Sequence, residues 1–220
     1  MKKAFALSLL LSLSLFSRAA YILIPMDDTQ KNHLKAYGVA YYVLKQDMKV
    51  QWLLNYRGGS FLFDDIPVLE KECNIRGVTY QIIAAGQAAA ILTDISNPEV
   101  NQDVVSLEKA PKVAVYSPIK VLPKLPWDDA VILALNYAEI PYDIVYDEDV
   151  LKGKLPLYDW LHLHHEDFTG QYGRFYSAYH TTPWYMDNEK GQEDIARKLG
   201  FSKVSQMKLA VSLKIRDFTA

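Results

Sequence analysis

The stretch LYDWLHLHHEDFTGQYGRFYSAYHTTPWY, Leu157–Tyr185, decides how the chain is read. It opens as a strand. Alternation sets Asp159, Leu161 and Leu163 toward one face and Tyr158, Trp160, His162 and His164 toward the other. The pattern breaks at His165-Glu166-Asp167 and gives way to a loop marked by Gly170 and Gly173. Four of the five histidines and nine aromatic residues fall in this one stretch. Imidazoles, carboxylates and flat apolar rings therefore gather just past the carboxyl end of a strand, where open α/β sheets place their ligands.

Working outward, the same rhythm continues on both sides. Lys112–Tyr116 (KVAVY) and Tyr142–Tyr146 read as strands, and Asp147–Leu151 as a short turn of helix. Between the two strands, Pro126 sits where a helix start tolerates proline, and Asp128 and Asp129 suit the first turn's dipole. That helix runs to about Ala138. Lys190–Leu199 and Val204–Phe218 read as helices. Toward the N-terminus, Tyr21–Ile24, Val50–Leu54, Phe61–Phe63 and Val78–Ile83 read as strands. Helical patterns lie around Leu34–Leu44, over Ile66–Arg76 and over Ala84–Ile95.

Strands alternating with helices at this spacing predict an α/β fold with a mostly parallel, doubly wound, flavodoxin-like sheet. Ser96–Pro111 is polar, carries Pro98 and ends at Ala110-Pro111, so it reads as a linker. It separates an N-terminal α/β region, 20–108, from a second one, 109–220. The second region ends on a helix whose natural successor is another strand, so the expectation is an α/β domain truncated at its C-terminus.

Half of the 220 residues are apolar, enough for a core without staples, and the net charge is −2. The N-terminus reads as a signal peptide over residues 1–19. Lys2 and Lys3 give a positive start, Ala4–Phe16 an apolar run of thirteen residues, and Ser17-Arg18-Ala19 a small-residue cleavage site. The run is too short to span a bilayer. A mature chain from Ala20 carries 21 basic against 26 acidic side chains, which argues against nucleic acid as a partner. The expected location is periplasmic or secreted, with no membrane span in the mature chain.

Cys73, the single cysteine, lies in an apolar-periodic helix and reads as a buried, inert thiol. His162-x-His164 with Asp167 is similar to a zinc-hydrolase pattern, but Asp167 falls one place late and Phe168 stands where a histidine is needed. No metal and no cofactor are expected. The loop Asn55–Ser60, with Gly58-Gly59, could hold an anion on its backbone amides or be a plain turn. It fits neither the Walker nor the dinucleotide pattern. No G-x-S-x-G elbow is present.

The polar centre of a ligand site is expected at His164, His165, Glu166 and Asp167, with Tyr172 and Arg174 on a covering loop. Carboxylates and imidazoles beside tyrosine and tryptophan faces suit a polar small molecule of carbohydrate type.

Several phrases carry a family resemblance: YILIPMDDTQKNHLKAYGVAYYVL, VQWLLNYRGGSF, EKAPKVAVYSP, PWDDAV, YDWLHLHHEDFTGQYG and LAVSLKIRDF. Together they resemble an exported bacterial family labelled "asparagine synthetase B", and the likeness covers essentially the whole mature chain. From Lys112 on, the arrangement resembles class I glutamine-amidotransferase-like and ThuA-like α/β domains. The resemblance implies a longer protein and, as an alternative to simple binding, an amidotransferase or amidohydrolase whose nucleophile lies beyond residue 220. The chain departs from asparagine synthetase B chemistry. Lys2 rather than cysteine follows Met1, and Arg57-Gly58-Gly59-Ser60 lacks the order and the aspartate of a pyrophosphate loop. The fold and the label carry over; the reaction does not.

Overall fold

The computed structural model describes residues 20–117, 130–163 and 172–219. The chain divides into two compact units, with the boundary between Ala110 and Pro111.

The first unit runs β1 (Ala20–Ile24), α1 (His33–Lys45), β2 (Val50–Leu54), β3 (Ser60–Asp64), α2 (Pro67–Arg76), β4 (Gln81–Ala84), α3 (Ala85–Ile95) and β5 (Asp103–Leu107). Its sheet has the order β4-β1-β3-β2-β5, and every neighbouring pair is antiparallel. β3 lies between β1 and β2, pairing Ile22 with Phe63 and Trp52 with Phe61. The elements β1 to β4 thus form the βαββαβ split arrangement of ferredoxin-like units, with α3 and β5 added.

This overturns the expectation of a mostly parallel, doubly wound sheet: among the described residues, five of the eight strands belong to an antiparallel one. The physical reason lies between Leu54 and Ser60. The chain returns through a tight loop there, and parallel neighbours need a crossover of a dozen residues or more. The loop reverses on four left-handed residues, Asn55, Arg57, Gly58 and Gly59. At Gly58 a side chain is excluded outright, because a Cβ would lie 2.3 Å from the Met26 carbonyl oxygen.

Helices on both faces explain why these strands look parallel in sequence. Ile22, Ile24, Val50, Phe61 and Phe63 pack under α1 and α2, against Val39, Val43, Leu69 and Cys73. Leu23, Leu53, Leu62 and Ile83 pack on the other face, against Ala88 and Ile95 of α3. β1, β2 and β3 are therefore apolar on both sides, a pattern characteristic of parallel sheets. The expected linker is also corrected, since 96–111 contains β5, which pairs with β2 from Leu54↔Asp103 to Val50↔Leu107.

The second unit runs β6 (Val113–Tyr116), α4 (Ala130–Ala138), β7 (Tyr142–Val145), α5 (Asp147–Leu151), β8 (Trp160–Leu163), α6 (Tyr172–Tyr179), α7 (Pro183–Lys198) and α8 (Val204–Thr219). The three strands form a small parallel sheet in the order β7-β6-β8. Val113 and Val115 face Leu135 of α4. Ala114, Tyr116 and Val145 face Val150 of α5 and Val211 and Ile215 of α8. The spacing of Val204, Met207, Val211 and Ile215 lays one stripe of α8 inward. Among the described residues no helix is long and apolar enough to cross a membrane.

Candidate functional site

The expected covering loop is a helix. Residues 172–179 form α6, which puts Tyr172 and Tyr176 four residues apart on one face, with His180 at its end. Tyr172 and Tyr176 have ring centroids 6.2 Å apart, and Tyr176 stacks on His180 at 5.1 Å. Next comes α7, which starts at Pro183 and not at Lys190; its missing N–H is harmless at a first helical position. Just past its end stands Gly200, whose left-handed backbone lets Phe201 N–H donate to the Ala196 carbonyl at 2.8 Å. That turn brings the start of α8 back beside α7.

Between these three helices lies a groove of about 990 Å³. Tyr172, Tyr176, His180 and Tyr185 supply its aromatic wall. Tyr185 is buried and meets Tyr176 edge-on at 6.3 Å. The α7 side carries Glu189, Glu193 and Arg197, three residues at four-residue spacing, so that they form a polar rail. Tyr172 Oη donates to Glu189 Oε1 at 2.5 Å, which ties the two walls together. Tyr176 remains 46% exposed, so its ring is available to a ligand. A second ring set, Phe175, Tyr179 and Trp184, lies around the end of α6, with centroids 5.8 and 5.3 Å apart.

Beneath the α7 wall is a buried polar network. Tyr116, the last residue of β6, donates its hydroxyl to Asp147 Oδ1 at 2.5 Å. Lys208 of α8 lies 2.8 Å from Asp147 Oδ2 and donates to Tyr146 Oη at 2.9 Å. Gln192 of α7 donates to the same tyrosine oxygen. Tyr116, Asp147, Gln192 and Lys208 are all at most 2% exposed. An ion pair this deep costs desolvation and persists only when other hydrogen bonds complete it. Its consequence here is positional. Gln192 fixes α7 to Tyr146, and the groove's polar rail rides on that helix.

Of the six expected site residues, His164, His165, Glu166 and Asp167 lie outside the described residues. Tyr172 and Arg174 are both on α6. Tyr172 lines the groove, whereas Arg174 is exposed and does not. His162 is in register with Val115 on the central strand and is partly buried. Tyr176 and His180 lie in the stretch expected to carry the ligand but are not among the six residues singled out in it, and Glu189, Glu193 and Arg197 lie beyond that stretch. Their signal was the four-residue spacing of 172/176/180 and of 189/193/197. Among the described residues no group of three or more His, Cys, Asp or Glu side chains is placed to hold a metal.

In the first unit, the arginine of the glycine loop is engaged by the chain itself. Arg57 Nε donates to Asp27 Oδ2 at 2.6 Å, and Met26 N–H donates to the Arg57 carbonyl at 3.0 Å. Arg57 and, next, Thr29 hold the Asp27 carboxyl down at about 2, from an ordinary 3.8. Cys73 is fully buried, and burial pushes its thiol up to about 12, which removes the thiolate a nucleophile requires.

Fold and groove together define a two-unit α/β protein with an aromatic-walled polar groove in its second unit. No protein-family model, no curated protein and no solved structure matches the chain.

Proposed function

We propose that this is an exported α/β protein, related to the family labelled asparagine synthetase B, that binds a polar small ligand of carbohydrate type in the groove between α6, α7 and α8. The observation that supports this reading best is the ring series Tyr172–Tyr176–His180 facing the Glu189–Glu193 rail. A sugar ring offers an apolar C–H face to a tyrosine and a rim of hydroxyls to carboxylates. The described thiol, Cys73, is sealed and protonated, so a binding role fits the chain better than thiol catalysis by its own cysteine.

An array of immobilised saccharides probed with the mature protein tests the reading. Saturable retention on a subset of glycans, lost with Tyr176→Ala, is the expected result. Release of ammonia from glutamine at turnover rates, with no glycan retained, contradicts it.

A further inference from the structure

Resting on that reading, the charge along the groove narrows the ligand class. The end formed by His180, Tyr185 and Met186 carries no Asp, Glu, Lys or Arg side chain. At the other end, Arg197 and Lys203 stand with Ser202 and Ser205. Counting the whole lining, Lys190, Arg197 and Lys203 outnumber Glu189 and Glu193. One Glu189 oxygen already accepts from Tyr172. The chain itself is acidic overall, with net charge −2. The lining's cations exceed its carboxylates by one, and Asp194, outside the lining, pairs with Arg197, so what favours an anion is the clustering of Arg197 and Lys203 at one end. The guanidinium of Arg197 suits a planar or tetrahedral oxyanion, because its N–H groups can donate in pairs.

We propose that the groove takes an anionic saccharide, with its ring on Tyr176 and His180 and its oxyanion at Arg197 and Lys203. The exposed ion pair of Arg197 with Asp194, at 2.7 Å, is no barrier, since solvated pairs of this kind contribute little and exchange readily. Carboxylate and phosphate share the recognition chemistry, so the two sources are separated by experiment.

Calorimetric titration of the mature protein with glucose, glucuronic acid, glucose 6-phosphate and inorganic phosphate decides the matter. The expected result is that at least one anionic sugar binds about ten- to a hundredfold more tightly than glucose, the worth of one charge-assisted contact. Glucuronic acid ahead of glucose 6-phosphate assigns a carboxylate, and the reverse order a phosphate. Arg197→Gln should erase most of that advantage, so that the anionic sugars bind this variant about as glucose binds it. Higher salt should do the same. Equal affinity for glucose and both anionic sugars overturns the inference while leaving a neutral-sugar site standing. Inorganic phosphate binding as tightly as glucose 6-phosphate overturns the ring's part in it. No binding by any sugar, here or on the array, removes the carbohydrate reading and the inference together.

Discussion

Lys208 Nζ stands 2.8 Å from Asp147 Oδ2, with the lysine side chain 3% exposed and the aspartate wholly buried. The pair joins the first residue of α5 to the second turn of α8, and Tyr116, Tyr146 and Gln192 close around it. Removing one partner leaves a buried charge alone. Lys208→Met should therefore cost about 3–5 kcal/mol in urea unfolding, and Lys208→Met with Asp147→Leu should recover much of it. A loss below about 1 kcal/mol for the single variant would contradict a sealed ion pair.

Gly58 approaches the Met26 carbonyl too closely for any side chain and has φ of 81°. Gly58→Ala should destabilise the chain by about 1–3 kcal/mol, through strain and displacement of the 25–29 loop. Gly77, also left-handed, has open space around the Cβ position, so Gly77→Ala should cost about 1 kcal/mol, from backbone strain alone. Equal losses for the two would show that the contact with Met26 contributes nothing.

Asp27 gives a pH signature. Its carboxyl is held at about 2 in the folded chain, chiefly by Arg57 and then by Thr29, against an ordinary 3.8. A depressed carboxylate contributes stability that is complete above its unfolded value and is lost as pH falls through its folded value. The stability gap between the parent and Asp27→Asn should be level near neutrality and close between about pH 4 and pH 2. A gap that stays constant across that window would show that Asp27 gains nothing from Arg57.

The elements were legible in the sequence to a larger degree than their partners. Tyr21–Ile24, Val50–Leu54 and Lys112–Tyr116 announce strands, and the stripe from Val204 to Ile215 announces α8. Pairing direction was hidden because helices cover both faces of the antiparallel sheet, which erases the alternation that marks such strands. One cue was present and decisive. Leu54 and Phe61 are too close in sequence for a parallel crossover. β5 escaped because Asp103-Val104-Val105-Ser106-Leu107 is a mostly exposed edge strand among polar neighbours. At the site, Gly173 suggested a loop, yet it lies inside α6, where the packing of flanking tyrosines outweighs glycine's cost of about 1 kcal/mol. Tyr172, singled out from sequence, lines the groove; the rail Glu189, Glu193 and Arg197 emerges only once α7 begins at Pro183.

Export has its own check. Intact-mass measurement of the chain recovered from a periplasmic or culture fraction should give a species starting at Ala20, from the Lys2-Lys3 start and the small residues before the cut. A species retaining Met1–Ala19 would contradict an exported, processed protein.

The most direct test of the binding account is a calorimetric titration of the tightest glycan from the array into the parent chain and into Tyr176→Ala. Tyr176 is 46% exposed, so the loss of its side chain should change stability by about 1 kcal/mol or less. The account predicts one saturable site in the parent and at least about tenfold weaker binding in the variant, with the urea midpoint nearly unchanged. Equal affinity in the two chains, or the absence of saturable binding in the parent, would contradict it.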